Sequence, residues 1–167
     1  MKLVLSGFVL LWLGYAPPVA AQALTLDQLF WLREKPSLDA AEYLEVAHGW
    51  HAEPAKDVTS ADSLYYATNW FFPAAHQKRL AELVYESRGS SNVVSITYST
   101  SNRAVFNALK ARVAAYHMQY VGQQRGNGVA WTYFRYGEDY DLGLAVYATP
   151  KTAHPTWYTI FIRPRWR

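Results

Sequence analysis

The stretch from Asn92 to Tyr116 most constrains the fold, because a strand pattern in it passes directly into a helix pattern. In NVVSITYS, Val94, Ile96 and Tyr98 alternate with Val93, Ser95 and Thr97. This alternation is typical of a strand that packs on one face, since successive side chains in a strand point to opposite sides.

The letters TSN then lead into a helix pattern, RAVFNALKARVAAY. Its apolar residues recur at helical spacing and form one stripe, which consists of Val105, Phe106, Leu109, Val113 and Tyr116. Lys110 and Arg112 fall on the opposite, wetter side. Burial of each apolar side chain is worth roughly 1.5 to 3 kcal/mol, so the pattern predicts a helix that packs on one face of a sheet.

Residues 1–23 are typical of an export signal. Lys2 supplies a positive start, LVLSGFVLLWLGY a short apolar run, and a Pro pair precedes small residues. Cleavage after Ala21 or after Ala23 fits the preference for small residues at the cut. The alternative, a membrane anchor, is disfavoured because about thirteen apolar residues fall short of the roughly 20 that span a bilayer. The sequence therefore predicts a periplasmic or secreted protein without a stable membrane span after cleavage.

The charge and the cysteine content of the chain bear on two classes of function, nucleic-acid binding and thiol chemistry. The chain has 16 Lys and Arg, 13 Asp and Glu, and no Cys. Proteins that bind nucleic acid concentrate many basic residues on one face, and only the C-terminal RPRWR is locally basic here, so we expect no nucleic-acid partner. Without cysteine, neither disulfides nor thiol chemistry contributes, and stability must come from packing.

The remaining chain divides into two units of similar order, 24–99 and 100–167. The first opens with two short helices, for which Thr25 and Gln28 form a capping box and Gly49 marks the end. Their expected buried positions are Leu26, Leu29, Phe30, Ala40, Tyr43, Leu44 and Ala47.

Turn residues separate the aromatic and β-branched runs that follow. We expect strands near 50–53, 63–72, 79–87, 92–99, 118–124, 128–136, 141–148 and 156–163. Loops are expected at PAKDVTSAD, PAAHQ, RGSS, RGNG, GED and TPKTAHP. The predicted fold class is α+β, with two tandem units of helix plus four-stranded antiparallel sheet that can form one continuous sheet.

This order of elements resembles the tandem architecture of the β-lactamase inhibitor protein family. The resemblance implies two sheets that form a concave surface for another protein. Because this chain lacks the cysteines of the inhibitor, no binding residue and no inhibitory activity are carried over. The letters LTLDQLFWL, EYLEVAHGW and SITYSTSNRAVFNAL are also similar to small exported proteins of Bacteroidetes-type bacteria, which implies export and the same fold.

The sequence contains only weak signals for a metal site or a cofactor site. His48 and His51 stand three residues apart, but Gly49 is expected to end the helix between them. The GEDYD stretch at 137–141 has three carboxylates without the ligand spacing of a calcium loop. We therefore predict no metal site and no cofactor.

Catalytic signals are equally weak. No GxSxG or SxxK motif marks a nucleophile, and no glycine-rich loop between strand and helix would hold a phosphate. A carboxylate pair for glycoside hydrolysis would have to come from Glu82, Glu86, Glu138, Asp139 or Asp141. The sequence thus predicts no catalytic residues.

Aromatic residues are unusually frequent, with 7 Trp, 13 Tyr and 7 Phe. Alternation in the last three strands predicts that one face of the C-terminal sheet gathers Trp131, Tyr133, Tyr147, Trp157 and Phe161. The other sheet could cover this face inside the molecule, which is the interpretation we favour from the sequence. It could instead be an exposed surface that binds another protein or a glycan.

The sequence therefore predicts an exported, non-catalytic binding protein whose partner is another envelope or extracellular protein, or a glycan. A small envelope hydrolase or a glycan-binding module that uses the same aromatic face is the alternative.

Overall fold

The fold is that of a computed structural model, which describes residues 23–35, 37–60, 63–72, 79–88, 93–147 and 157–165. The predicted export signal lies outside these residues except for Ala23. Among the residues described, no helix has the length and apolar character needed to cross a bilayer.

Three α-helices and eight strands make up the described chain. The helices are α1 (Leu26–Glu34), α2 (Ser37–Glu42) and α3 (Arg103–Ala115), and a π-helical segment (Tyr43–Ala47) continues α2. The strands are β1 (His51–Ser60), β2 (Ser63–Phe72), β3 (Ala81–Arg88), β4 (Val93–Thr100), β5 (Gln119–Gly126), β6 (Val129–Tyr136), β7 (Tyr140–Tyr147) and β8 (Tyr158–Pro164).

All eight strands form one antiparallel sheet in the order β1-β2-β3-β4-β8-β7-β6-β5. Each unit contributes four consecutive strands, and the last strands of the two units pair at the centre. Tyr98 lies opposite Ile160 there, and Ile96 lies opposite Ile162. The predicted α+β class with one continuous sheet is confirmed.

The helices cover a single face of this sheet, which we call the inner face. Helix α1 contacts β4, and α3 contacts both β4 and β8. Side chains of both units fill the core between the layers, and those almost inaccessible to solvent include Leu26, Leu29, Leu44, Leu83, Ile96, Tyr98, Leu142, Ile160 and Ile162. On α3, Phe106, Leu109 and Val113 are buried while Lys110 and Arg112 are exposed, so the predicted orientation of this helix is confirmed.

Local signals in the sequence set the helix ends. Thr25 and Gln28 form the predicted capping box, in which the Thr25 side chain accepts from the Gln28 amide and the Gln28 side chain accepts from the Thr25 amide. At the start of α3, Asn102 Oδ1 accepts from the amides of Ala104 and Val105. Gly49 has φ +67°, a left-handed conformation that glycine adopts without strain, and it follows the end of the π-helical segment.

The π-helical segment changes which residues face the core. Ala40 and Leu44 are fully buried as predicted, but Ala47 is exposed. A π-helix closes i→i+5 bonds, so its wider turn rotates the position three residues after Leu44 off the buried side. His48 is instead partly buried, and its ring lies 4.5 Å from that of Tyr43.

Strand β1 is longer than predicted, since PAKDVTSAD was expected to be a loop after residue 53. The strand continues to Ser60, with an irregular register between Glu53 and Lys56. Pro54 lies in that irregular step of an edge strand, where the missing amide proton interrupts the fewest bonds. The sequence prediction failed because it took this proline as the end of the strand.

The turns of the second unit match prediction. Asn127 and Gly128 have φ of 49° and 75°, the positive values of a two-residue hairpin turn, and Gly137–Asp139 forms the next turn. The loops predicted at PAAHQ and TPKTAHP lie outside the described residues, as does most of RGSS.

Candidate functional site

The sheet face opposite the helices, which we call the outer face, contains the predicted aromatic residues. Pairing registers place its side chains in rows across the strands. One row reads Trp131, Ala145, Thr159, Ser99, Glu82 and Phe71. The next reads Tyr133, Gly143, Phe161, Thr97, Val84 and Asn69.

We call Trp131, Tyr133 and Phe161 the aromatic cluster. The rings of Trp131 and Tyr133 are nearly parallel, with centroids 6.3 Å apart and an interplanar angle of 16°. The Phe161 ring lies 5.5 Å from Trp131 and 6.2 Å from Tyr133. All three side chains are partly buried. They therefore form one contiguous apolar surface that still reaches solvent.

Small residues on β7 allow the cluster to form. Gly143 pairs with both Tyr133 and Phe161, and a Cβ atom there would overlap the Phe161 ring. Ala145, one step along the strand, is completely buried although it belongs to the outer face. Rings from the neighbouring strands thus close over the strand between them.

The other two predicted residues lie at the end of this face. Trp157 is partly buried and directly precedes β8. Tyr147 is the last residue of β7, opposite Val129, and its side chain lies outside the described part. Among the side chains that the structure describes, three of the five predicted residues are therefore in direct contact.

From the sequence we favoured the interpretation that the other sheet covers this aromatic face, and that interpretation is wrong. The two four-stranded units join edge to edge through β4 and β8, so neither sheet lies over the other. Hydrogen bonding between these two strands is satisfied only when they share one sheet. Within the described residues, the helices pack on the inner face, and the outer face of the second unit carries no helix.

Polar groups surround the aromatic cluster. Ser99 Oγ and Thr159 Oγ1 are hydrogen-bonded at 2.9 Å across the central strand pair, and Tyr133 donates to Gln124 Oε1 at 3.4 Å. The guanidinium of Arg163 lies 5.2 Å from the centroid of the Phe161 ring. The cluster is thus an apolar patch with a polar rim.

A row of charged residues lies on the outer face next to the row that contains Tyr133 and Phe161. Asp141 on β7 is opposite Arg135 on one side and Arg163 on the other. The Nε of Arg135 is buried and has no hydrogen-bond partner among the described atoms. Glu138 and Asp139 follow in the adjoining turn, so charges of both signs meet at this end of the face.

The carboxylates that sequence left open for hydrolysis are dispersed. Glu82 and Glu86 are four residues apart on β3, a separation of about 13 Å along a strand. Asp141 is three strands from β3, about 14 Å away across the sheet. Glu138 and Asp139 lie in an exposed turn. A glycosidase pair needs roughly 5 to 10 Å, so Glu82 forms no such pair with Glu86 or Asp141.

Burial raises the pKa of Glu82 above its usual value of 4.5. Nearby Arg79 opposes this shift and Glu53 adds to it. The cause is desolvation on the outer face next to Phe71, so the shift reflects packing in the first unit.

The described residues contain no cluster of three or more His, Asp or Glu side chains that could hold a metal. His48 and His51 are separated by the turn at Gly49, and the His48 ring packs on Tyr43.

Sequence reasoning missed a groove between the start of α1 and the side of α3. Asp27 accepts hydrogen bonds from Tyr116 and from Arg112 Nη2, which is 3.0 Å away. The Tyr116 hydroxyl, followed by Arg112, holds the pKa of Asp27 below its usual value, although burial opposes them. No local pattern links residues more than 80 positions apart, so the sequence contained no signal for this groove.

Comparison with family models, curated proteins and solved structures found no match to this chain.

Proposed function

We propose that this chain is an exported, non-catalytic binding protein of the bacterial envelope, and that it holds another envelope or extracellular protein on the outer face of its second unit. The observation that carries the proposal is the aromatic cluster, which is only partly buried on a face without a helix among the described residues. Trp and Tyr supply large, rigid contact area at low entropic cost, and contiguous apolar patches with polar rims are typical of interaction sites.

The surroundings of the cluster favour a protein partner. Binding hot spots are rich in Trp, Tyr and Arg and are enclosed by a polar rim. The cluster has Trp131 and Tyr133 at its centre, and Arg135 and Arg163 at its end. We expect the partner to present an apolar side chain to the cluster and a carboxylate to the arginines.

Export rests on the apolar run that ends at AAQA. Mass spectrometry of the protein from the cell envelope is expected to find a chain that begins at Gln22 or Leu24. An intact segment 1–15 in the mature protein would contradict export by this route.

A photo-crosslinking amino acid at position 124, in place of the exposed Gln124 beside the cluster, tests the partner directly and leaves Trp131 intact. We expect a specific adduct with one envelope protein, and none when the same amino acid replaces Lys110 on the exposed side of α3. With that partner purified, Trp131→Ala is expected to weaken binding about thirtyfold, the equivalent of about 2 kcal/mol for a central anchor. Equal adducts at both positions, or binding unchanged by Trp131→Ala, would contradict the proposal.

A glycan is the second candidate. The nearly parallel rings of Trp131 and Tyr133, with the Gln124 amide beside them, favour it. Envelope oligosaccharides that shield Trp fluorescence, and lose this effect in Trp131→Ala, would support the glycan and contradict a protein partner.

A further inference from the structure

The eight-stranded sheet ends in two edge strands, β1 and β5, which differ in their protection against further pairing. β1 contains Pro54, Lys56 and an irregular step, and such features keep an edge strand from pairing with another chain. β5 contains neither proline nor lysine, and its irregular step lies near its beginning, between Tyr120 and Gly122. On the side away from β6, the segment 122–126 is therefore a regular edge, and no described strand lies beside it.

The whole of β5 is accessible to solvent. Seven of its eight residues are exposed, and only Gly122 is partly buried. The side chains of Tyr120 and Val121 are large and apolar, yet these residues remain 56% and 51% exposed. An exposed, regular edge of this kind is a template for an added strand.

The hairpin turn fixes which backbone groups point out of this edge. The turn at 127–128 has two residues, so Gly126 and Val129 on either side of it exchange both of their hydrogen bonds. Such pairs alternate with pairs that do not exchange hydrogen bonds. The N–H and C=O groups of Gln123 and Arg125 therefore point away from β6 and are directed toward any strand added at the edge.

The outer-face side chains of this segment are symmetric about Gln124. Gly122, Gln124 and Gly126 follow one another at every second position, so their order reads the same in both directions. A Cβ built on either glycine would meet no atom within 4 Å, so the space above both is open. An interface with two-fold symmetry requires such a pattern, because residue i contacts j and j contacts i.

We propose that β5 is the interface of a homodimer, in which the β5 strands of two copies pair antiparallel about a two-fold axis at Gln124. Gln123 of one copy then lies opposite Arg125 of the other, so the outward backbone groups of both bond to each other. An amide meets a guanidinium there, and no like charges are opposed. Gly122 of one copy lies opposite Gly126 of the other.

The neighbouring registers are less favourable. A shift that places Arg125 on the axis sets two arginines directly opposite each other, which is destabilising. A shift that places Gln123 on the axis sets Arg125 opposite Val121, inside the irregular step of β5. A segment of a different protein would gain the same backbone bonds, but it would not account for the symmetry about Gln124.

A two-fold axis perpendicular to the sheet keeps the outer faces of both copies on one side. The two β6 strands are then three strand spacings apart, about 14 Å, so the two aromatic clusters flank the axis. In this register, the exposed Val121 lies beside Asn127 in the turn of the second copy. The interface uses the strand edge alone, so it does not depend on the ligand proposed for the aromatic cluster.

Cysteine crosslinking tests the pairing in the full chain, as recovered from the expressing cell. The chain has no Cys, so one introduced Cys is its only thiol. Gln124→Cys is expected to form a disulfide-linked dimer in a glutathione buffer, because its Cα lies about 4.5 Å from its counterpart. Gln123→Cys is the matched control, since its counterpart lies about 8 Å away, too far for a disulfide.

We expect Gln124→Cys to crosslink at least tenfold faster than Gln123→Cys or Lys110→Cys, which measures random collision. Equal rates for the three variants would overturn the proposed dimer. Faster crosslinking of Gln123→Cys would overturn its register. The photo-crosslinker at position 124 is also expected to join two copies, and the mass of that adduct is twice the mass of the chain.

A charge exchange at Gln124 tests the same axis by sedimentation. The unchanged protein is expected to form a dimer that dissociates on dilution. Gln124→Glu and Gln124→Lys are each expected to weaken the dimer at least tenfold, because like charges face each other on the axis. An equal mixture of the two variants is expected to restore dimerisation. A change that only disturbs the fold of each variant would not be rescued by mixing.

Thermal melts establish that the variants fold. If either charged variant folds poorly, Gln123→Pro replaces the pair, because it removes an N–H that points away from β6, and it is expected to abolish the dimer. A protein that stays monomeric at every concentration would overturn the proposal. A dimer that none of these substitutions weakens, or charged variants that stay monomeric when mixed, would overturn it as well.

Discussion

The two halves of the sheet have the same inner face and different outer faces. On the inner side, Leu83 and Ile96 of the first unit and Leu142 and Ile162 of the second are completely buried under the helices. On the outer side, the first unit presents mainly carboxylates and hydroxyls, such as Glu82, Glu86, Ser95 and Ser99. The second unit presents the aromatic cluster.

The aromatic side chain described on the outer face of the first unit, Phe71, is also less accessible than the aromatic cluster. Phe71 is only 6% exposed, and the Arg79 guanidinium lies 3.6 Å from its ring centroid. Glu53 pairs with Arg79 at 2.5 Å and holds it there. The cluster of the second unit is partly buried, and the Arg163 guanidinium lies 5.2 Å from the Phe161 ring centroid. The core is thus common to both units, and among the described side chains the apolar outer surface lies on the second unit.

The largest expected effects test whether the inner faces are equivalent. Leu83→Ala and Leu142→Ala each remove a completely buried side chain and leave a cavity, so each is expected to cost about 2 to 5 kcal/mol of unfolding free energy. Lys110→Ala, at an exposed position, is expected to stay within about 0.5 kcal/mol. Denaturant melts measure all three. If one leucine costs no more than Lys110→Ala, the inner faces are not equivalent.

A smaller effect tests the packing that creates the cluster. Gly143→Ala would place a Cβ in the Phe161 ring, so it is expected to cost about 1 to 3 kcal/mol. The same change in a Phe161→Ala background is expected to cost much less, because the obstructing ring is gone. A double-mutant cycle by denaturant melts measures this coupling. Additive effects would mean that Gly143 is required for another reason.

A still smaller effect concerns the cover on Phe71. Arg79→Ala removes a cation–π contact and a largely exposed ion pair, and is expected to cost about 0.5 to 1 kcal/mol. Arg163→Ala, over the aromatic cluster, is expected to cost less, because its cation lies farther from the ring. Urea melts of the two variants measure the difference. A larger loss for Arg163→Ala than for Arg79→Ala would show that Arg163 covers the second unit more tightly than Arg79 covers the first.

The smallest expected effect is a pH dependence in the first unit. Burial raises the folded-state pKa of Glu82 above 4.5, so its stabilising contribution is complete below that pH and is lost as pH rises through the folded value. Glu82→Gln stays neutral, so it should gain stability relative to the unchanged protein between pH 4 and pH 7. We expect a gain of at most about 1 kcal/mol because the side chain is only partly buried. Denaturant melts of both proteins at pH 4 and pH 7 measure this gain. The same difference in unfolding free energy at the two pH values would show that the charge of Glu82 is not its cause.

Local patterns predicted most of the fold. Alternation along β4 and β8 and the stripe on α3 repeat within a few residues, so the sequence alone indicated which side of each element is buried. The capping box at Thr25 was predicted for the same reason.

The missed features depend on distant contacts. The continuation of β1 beyond Pro54 requires β2 as its neighbour, and the overlap at Gly143 requires the ring of Phe161. The groove at Asp27 depends on Arg112 and Tyr116 in the other unit. Edge-to-edge joining of the sheets likewise could not be distinguished from face-to-face packing, because both bury the same inner residues.

Trp131→Ala, measured for both stability and binding, tests the difference between the two outer faces most directly. We predict that it lowers the unfolding free energy by less than Leu142→Ala does, because Trp131 is only partly buried, and that it weakens capture of the crosslinked partner about thirtyfold. A Trp131→Ala protein that loses as much stability as Leu142→Ala, and retains full affinity for that partner, would show that the cluster is a second core and contradict the account.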